Sequence, residues 1–382
     1  MRVFSLALIG LFTAVNGFAT FDATIPVVDM QDFYNPHKQE AFVQQIGEAL
    51  REVGFFAVVN PEIDMNVLDE AYMEVEHFFR LPQEEKRKCL DPNAEGQRGY
   101  VESESAKGQT LKDFKEFYHI GRELSDDDLK KLGYPKNVWP EDGQFKGKSL
   151  KLFQSLEKAS KGLQEAISLA MGQDKSFLSE MLSKGNIVLR AVHYPANPPE
   201  NQIWAAAHTD INLFTILPRA TASGLQVKGK DGQWITVHVP ENAFIVNGGD
   251  MLRHLSNGEF RSSIHRVISP EEGLERFSMV MFVQPRHEVD LTPRPENIAR
   301  TGGVQKFASC VVWELLFERF SDLGLAGPSI LQPLGESGFL ERQIQIGNAS
   351  PDAMLAVHQA GFASADVENY LSEQGLLHQS DK

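Results

Sequence analysis

The sequence predicts a mainly β fold, a jelly-roll or barrel, with helices flanking it on both sides along the chain. Two observations lead there. Between residues 187 and 286, short β-rich runs follow one another with turn residues between them, the texture of a sandwich or barrel. Before and after that region, apolar residues recur at helical spacing instead.

The run 25–29 (Ile-Pro-Val-Val-Asp) reads as a short strand, and Phe42, Ile46, Ala49, Leu50 and Val53 then mark one face of a helix. A strand follows at 54–59. The stretch 64–79 is a second amphipathic helix, stopped by Leu81-Pro82 because proline disfavours helix at the residue before it. Residues 91–108 read as an exposed, glycine-punctuated loop, and 148–171 as a long helix. The β region divides into runs at 187–194, 214–217, 225–227, 234–239, 244–246, 263–268 and 277–283, and connectors at 195–199, 228–232 and 247–250 supply its turns. Helical patterns return at 305–320 and 351–377.

Composition narrows the function classes. The chain has 382 residues, 42% of them hydrophobic, enough to fill a sizeable core. Its formal net charge of −15 repels phosphate backbones and anionic lipid, so neither nucleic acid nor a membrane surface is an expected partner, and a small molecule is. Two cysteines, Cys89 and Cys310, form no disulfide framework and read as buried thiols. At the N-terminus, residues 1–19 combine Arg2, an apolar run and small residues, the pattern of a signal peptide or hydrophobic leader; the run is too short to span a bilayer.

The chemistry lies in the β region. His208-Thr209-Asp210 stands where a strand is expected to begin, and residues two apart on a strand share a face, so imidazole and carboxylate can converge. His265 arrives in a later strand. Two histidines and a carboxylate form the facial triad that leaves a ferrous ion three open positions for co-substrate and dioxygen. Arg276-Phe277-Ser278 again aims two side chains to one side: a guanidinium grips a carboxylate bidentately and a serine hydroxyl adds a hydrogen bond. Tyr194 is a third donor to the same carboxylate. His-x-Asp alone is a weak signal; the ordered string of His-x-Asp, distant His and Arg-x-Ser is a strong one.

The chain resembles the 2-oxoglutarate and Fe(II)-dependent oxygenases, in the branch that includes isopenicillin N synthase, flavonoid-type plant dioxygenases and 1-aminocyclopropane-1-carboxylate oxidase. The resemblance spans about residues 25–323. Besides the segments above, it rests on residues 54–60, 78–82, Lys115-Glu116-Phe117, Gly224-Leu225-Gln226-Val227, Val246-Asn247-Gly248-Gly249-Asp250 and Ser256-Asn257-Gly258. It implies a double-stranded β-helix core with iron inside its mouth, wrapped by N-terminal and C-terminal helices. It implies too that His208, Asp210 and His265 bind Fe(II), and that Arg276, Ser278 and Tyr194 hold the distal carboxylate of 2-oxoglutarate, with dioxygen as the other co-substrate. The implied organisation is an N-terminal dioxygenase region at 25–150, the oxygenase core at 185–290 and a C-terminal helical extension at 300–382. One position departs: Val192 stands where many relatives place a polar residue that touches the co-substrate.

The implied reaction is oxidation, by default hydroxylation, of a small molecule with release of succinate and carbon dioxide. Two other readings stay open: an Fe(II) oxidase of the same fold that anchors a substrate carboxylate instead, and a non-catalytic metal- or ligand-binding protein. Ferrous iron and a central metabolite favour the cytoplasm over export. His119, His193, His238 and His254 read as structural or surface histidines, with His193 on the sheet face opposite Tyr194. Asn247 and Asp250 read as turn residues. Phe117 and Tyr118 line either the substrate entrance or the core.

Overall fold

The computed structural model describes residues 24–94, 96–102 and 113–377. The leader at 1–19 and part of the expected loop at 91–108 lie outside the described residues. Twelve strands occur among them: β1 (Val27–Asp29), β2 (Phe55–Val59), β3 (Gly99–Val101), β4 (Glu116–Gly121), β5 (Val188–Tyr194), β6 (Ala205–His208), β7 (Phe214–Ala220), β8 (Leu225–Lys228), β9 (Trp234–Thr236), β10 (Phe244–Gly248), β11 (His265–Val267) and β12 (Arg276–Val283). Eight form one sheet in the order β1-β2-β10-β7-β12-β5-β4-β3, and four form a second in the order β6-β11-β8-β9. Apart from the parallel β1–β2 pair, neighbours run antiparallel. This is the jelly-roll expected from the spacing of the short runs.

Strand alternation sorts the apolar residues into two buried clusters. Phe55, Phe117, Val192, Tyr194 and Leu217 of the large sheet meet Leu225, Val227 and Val267 of the small one inside the barrel. The alternate residues, Phe56, Tyr118, Ala191, Ile216 and Met279, face outward into the helices Gln39–Glu52, Met65–Phe79 and Gly143–Ala170. A sheet covered on both faces needs apolar residues at nearly every position, which is why these strands read as continuous runs. Each Leu or Phe fully buried there stabilises the fold by about 1.5–3 kcal/mol.

Several boundaries differ from expectation, each for a local reason. The long helix begins at Gly143, because Asp142 accepts a hydrogen bond from the Gln144 amide and caps it. Within the expected loop at 91–108, β3 pairs with β4 and buries Tyr100. Gly99 permits this turn: it has φ +75°, and a Cβ there would lie 2.3 Å from the Cys89 carbonyl. The helix expected at 305–320 is Val312–Asp322. Its first residues are instead drawn into an extended bridge, in which Leu291 and Val312 amides bond the Cys310 and Val289 carbonyls.

The expected pattern at 351–377 is two helices, Pro351–Gln359 and Ala365–Glu373, parted by Gly361 at φ +80°. Two more, Pro328–Glu336 and Phe339–Ile346, precede them, and Leu334, Phe339, Met354 and Leu371 join the outer cluster. No helix among the described residues is long and apolar enough to cross a membrane.

Candidate active site

His208 is the last residue of β6 and faces His265, the first residue of β11, as its direct cross-strand partner. Their rings lie 4.4 Å apart between centroids. Asp210 is not on the strand; it sits two residues beyond β6 in an irregular turn. The alternation invoked for His208 and Asp210 therefore does not apply, and the turn itself brings the carboxylate back. Asp210 Oδ1 lies 3.9 Å from His208 Nε2 and 3.8 Å from His265 Nε2, and ligand atoms of the three residues all fall within 4.8 Å of one another. A divalent cation, with ligand distances of about 2.0–2.2 Å, fits among donors so spaced.

The hydrogen bonds fix which atoms face inward. His208 Nδ1 donates to the Ala206 carbonyl at 2.7 Å, and His265 Nδ1 donates to the Ser263 carbonyl at 3.1 Å. A carbonyl only accepts, so each Nδ1 carries the proton and each Nε2 presents a lone pair. On Asp210, Oδ2 accepts from Thr215 Oγ1 at 2.7 Å and from Asn247 Nδ2 at 2.9 Å, leaving Oδ1 to the imidazoles.

The electrostatics favour the ligand forms. The surrounding protein, then the neighbouring His265, pushes the pKa of His208 down to about 4, so the ring is neutral at pH 7. Burial opposes the charged form of Asp210. His265 and His208, then hydrogen bonds from Asn247 and Thr215, outweigh it and hold the carboxyl below its ordinary value. About a third of the His208 side chain stays exposed, against a tenth of His265, so the cluster opens on the His208 side.

Arg276 and Ser278 lie on the same face of β12, and the pairing with β5 sets Arg276 opposite Tyr194 and Ser278 opposite Val192. The Arg276 guanidinium is buried, donates through Nε to the Ala222 carbonyl at 3.0 Å and through Nη1 to Ser278 Oγ at 3.2 Å, and lies 4.9 Å over the Tyr194 ring. Among the described residues it has no carboxylate partner. A buried cation without one is costly, which marks this as a place for an anion from outside the chain.

The other singled-out residues divide as follows. His193 lies on the opposite face from Tyr194, stacked on Phe277 at 4.6 Å and bonded to Glu116. His254 donates to the Ala308 carbonyl, His119 bonds the Gly96 carbonyl, and His238 is exposed. Phe117 packs inside the barrel and Tyr118 outside it, both buried. Cys89 and Cys310 are free and buried.

Asn247 and Asp250 are more than turn residues. Asn247 holds the Asp210 carboxylate, while the Asp250 amide donates to the Asp210 carbonyl at 2.7 Å. Thr215, which the sequence alone does not single out, supports the same carboxylate. The signal for it is a polar residue set among apolar ones, Thr215 in the 214–217 run of β7 and Asn247 in β10, which the register places opposite one another. Asp113 likewise accepts from the Ala206 amide on the open edge of β6.

Comparison with known proteins agrees with this arrangement. Residues 25–142 match a family model described as the N-terminal region of a non-haem dioxygenase in morphine synthesis, and residues 185–285 match the 2OG-Fe(II) oxygenase superfamily. The chain is 31% identical to the 2-oxoglutarate-dependent dioxygenase caaD of Aspergillus niger, over 68% of this chain and 83% of that protein. It is also 31% identical to a homoarginine-6-hydroxylase of Arabidopsis thaliana, over 72% and 88%. The crystal structure of a full-length Neurospora crassa protein in complex with alpha-KG superposes with a TM-score of 0.68 at 27% identity, covering 76% of this chain and 94% of that one.

Proposed function

This chain belongs to the 2OG-Fe(II) oxygenase superfamily, and from that premise we propose that His208, Asp210 and His265 hold its iron while Arg276, Ser278 and Tyr194 hold its 2-oxoglutarate. The enzyme is a 2-oxoglutarate-dependent Fe(II) dioxygenase that hydroxylates a small molecule. One oxygen atom of dioxygen enters the substrate and the other enters succinate, with loss of carbon dioxide. Ferrous iron, when bound, would supply a redox-active centre with open coordination positions for dioxygen, while 2-oxoglutarate and the substrate each furnish two of the electrons that reduce it.

The observation that carries the residue assignment is the pairing of two incomplete polar groups inside one barrel. Three donors with free lone pairs and no proton between them want a cation; a buried guanidinium without a carboxylate wants an anion. A dicarboxylate that chelates the one and pairs with the other completes both. The chain's own contribution is then positional. Arg276 and Ser278 orient the far carboxylate in a dehydrated pocket, where the pairing gains strength, and Asn247 and Thr215 keep Oδ1 of Asp210 aimed inward.

The organisation follows the same reading: a supporting region at 25–150, a catalytic core at 185–290 and an extension at 300–382, whose described residues 300–377 pack on the core. Ferrous iron and 2-oxoglutarate are reagents of the cytoplasm, which supports a cytoplasmic site of action; recovery of the chain from the medium, trimmed near residue 20, would contradict it.

Succinate release tests the proposal. The purified protein with Fe(II), 2-oxoglutarate and a panel of small molecules is expected to form succinate in step with hydroxylated product, and Asp210→Ala to form none. Product formation without 2-oxoglutarate would overturn it.

A further inference from the structure

The irregular turn between His208 and Asp210 is braced from a distant part of the chain. Arg319, on the helix Val312–Asp322, bonds Asp250 Oδ2, and its guanidinium lies 3.5 Å from both the carbonyl oxygen and Oγ1 of Thr209. Thr209 Oγ1 donates to the same Asp250 oxygen at 3.0 Å, and the Asp250 amide donates to the Asp210 carbonyl at 2.7 Å. Both partners are largely buried, with 24% of the Arg319 side chain and 14% of the Asp250 side chain exposed. The turn thus has two supports. Thr215 and Asn247 hold the Asp210 carboxylate; Asp250 and Arg319 hold the Thr209–Asp210 backbone from the other side.

Resting on the assignment of His208, Asp210 and His265 as metal ligands, we propose that Arg319 is a positioning residue for the metal centre, through which the C-terminal extension sets metal affinity. Without Arg319, Asp250 becomes a largely buried carboxylate beside Asp210 with no cation to neutralise it. It then swings toward water and loosens its hold on Thr209. His208 at the end of β6 and Asp210 in the turn then lose their preset spacing. Ligand-supporting contacts of this kind are worth about 10–100-fold in metal affinity.

Cobalt(II) titration without oxygen or co-substrate tests this, read by calorimetry and by the visible spectrum of the bound ion. Arg319→Ala is expected to raise the cobalt Kd about tenfold or more. Arg319→Lys, which keeps the charge but not the fork that spans Asp250 and Thr209, should lose less. The control is Arg342→Ala, which breaks the 2.7 Å pair that Arg342, on the helix Phe339–Ile346, makes with Glu314 on the helix that carries Arg319; it should lower stability and leave the cobalt Kd unchanged. Combined with Asp250→Asn, Arg319→Ala should add little further loss, since the two act as a unit.

Wild-type cobalt affinity in both Arg319 variants, or equal weakening in Arg342→Ala, would overturn the proposal. If the wild-type protein binds no cobalt while folded, the ligand assignment fails first and this inference falls with it.

Discussion

The proposed carboxylate grip on β12 and the proposed metal-binding turn after β6 place their polar groups by opposite means. Arg276 and Ser278 sit on a regular ladder, paired residue for residue with β5, and the pleat alone aims both inward. Asp210 has no ladder, and its carboxylate and backbone are held by Thr215 from one other segment and by Asn247 and Asp250 from a second. A strand positions a side chain through the backbone; a turn needs side chains to do it. Damage should therefore stay local at the grip and spread through neighbours at the turn.

The largest effect should come at the grip. Arg276→Ala removes a buried charge partner, a loss of about 2–5 kcal/mol in comparable pairs, so 2-oxoglutarate affinity should fall about a hundredfold while cobalt affinity holds. A parallel fall in cobalt affinity would erase the distinction between the two regions. Next comes Asn247→Ala, which frees one arm of Asp210 Oδ2. Cobalt affinity should fall about tenfold, with little change in 2-oxoglutarate binding once metal is saturating.

Acidification separates the regions in another way. His208 and His254 have pKa values lowered to about 4, chiefly by burial, against an ordinary value of 6.5. Below pH 6.5 the unfolded chain takes up protons that the fold refuses, so the metal-free protein should lose stability from about pH 6.5 down to about pH 4, as urea midpoints would show. Metal affinity should fall as the pH is lowered, because the metal competes with protons for its ligands. A guanidinium does not titrate there.

Tyr72→Phe should have the smallest effect. The Tyr72 hydroxyl accepts from the Met279 amide at 2.9 Å and donates to the Arg219 carbonyl, where the register of β12 against β7 shifts. Its loss leaves one buried amide without a partner, about 1–3 kcal/mol of stability, with a few-fold weaker grip on 2-oxoglutarate and unchanged cobalt binding.

These contrasts explain which parts were legible in the sequence. The jelly-roll showed in its closely spaced short strands, and Arg276 and Ser278 showed because a period of two is written directly into a strand. His208 and Asp210 are legible as a motif but not through strand alternation, because His208 ends β6 and Asp210 lies beyond it. Asn247 and Asp250 show in the sequence only as part of a turn segment and Arg319 not at all, since the partners that give them their roles lie 37, 41 and 110 residues away and only the folded chain brings these together. Gly99 hid β3 for a similar reason, because a glycine that marks a loop in sequence here allows close packing against Cys89.

The most direct test of the account is an anaerobic titration of the Fe(II)-loaded protein with 2-oxoglutarate, following the visible charge-transfer band of an iron-chelated 2-oxo acid. The wild-type protein should develop the band, Arg276→Ala should need about a hundred times more 2-oxoglutarate to reach it, and Asp210→Ala should never show it. Iron binding without a band at saturating 2-oxoglutarate, or a wild-type titration in Arg276→Ala, would contradict the assignment of the two regions to one co-substrate.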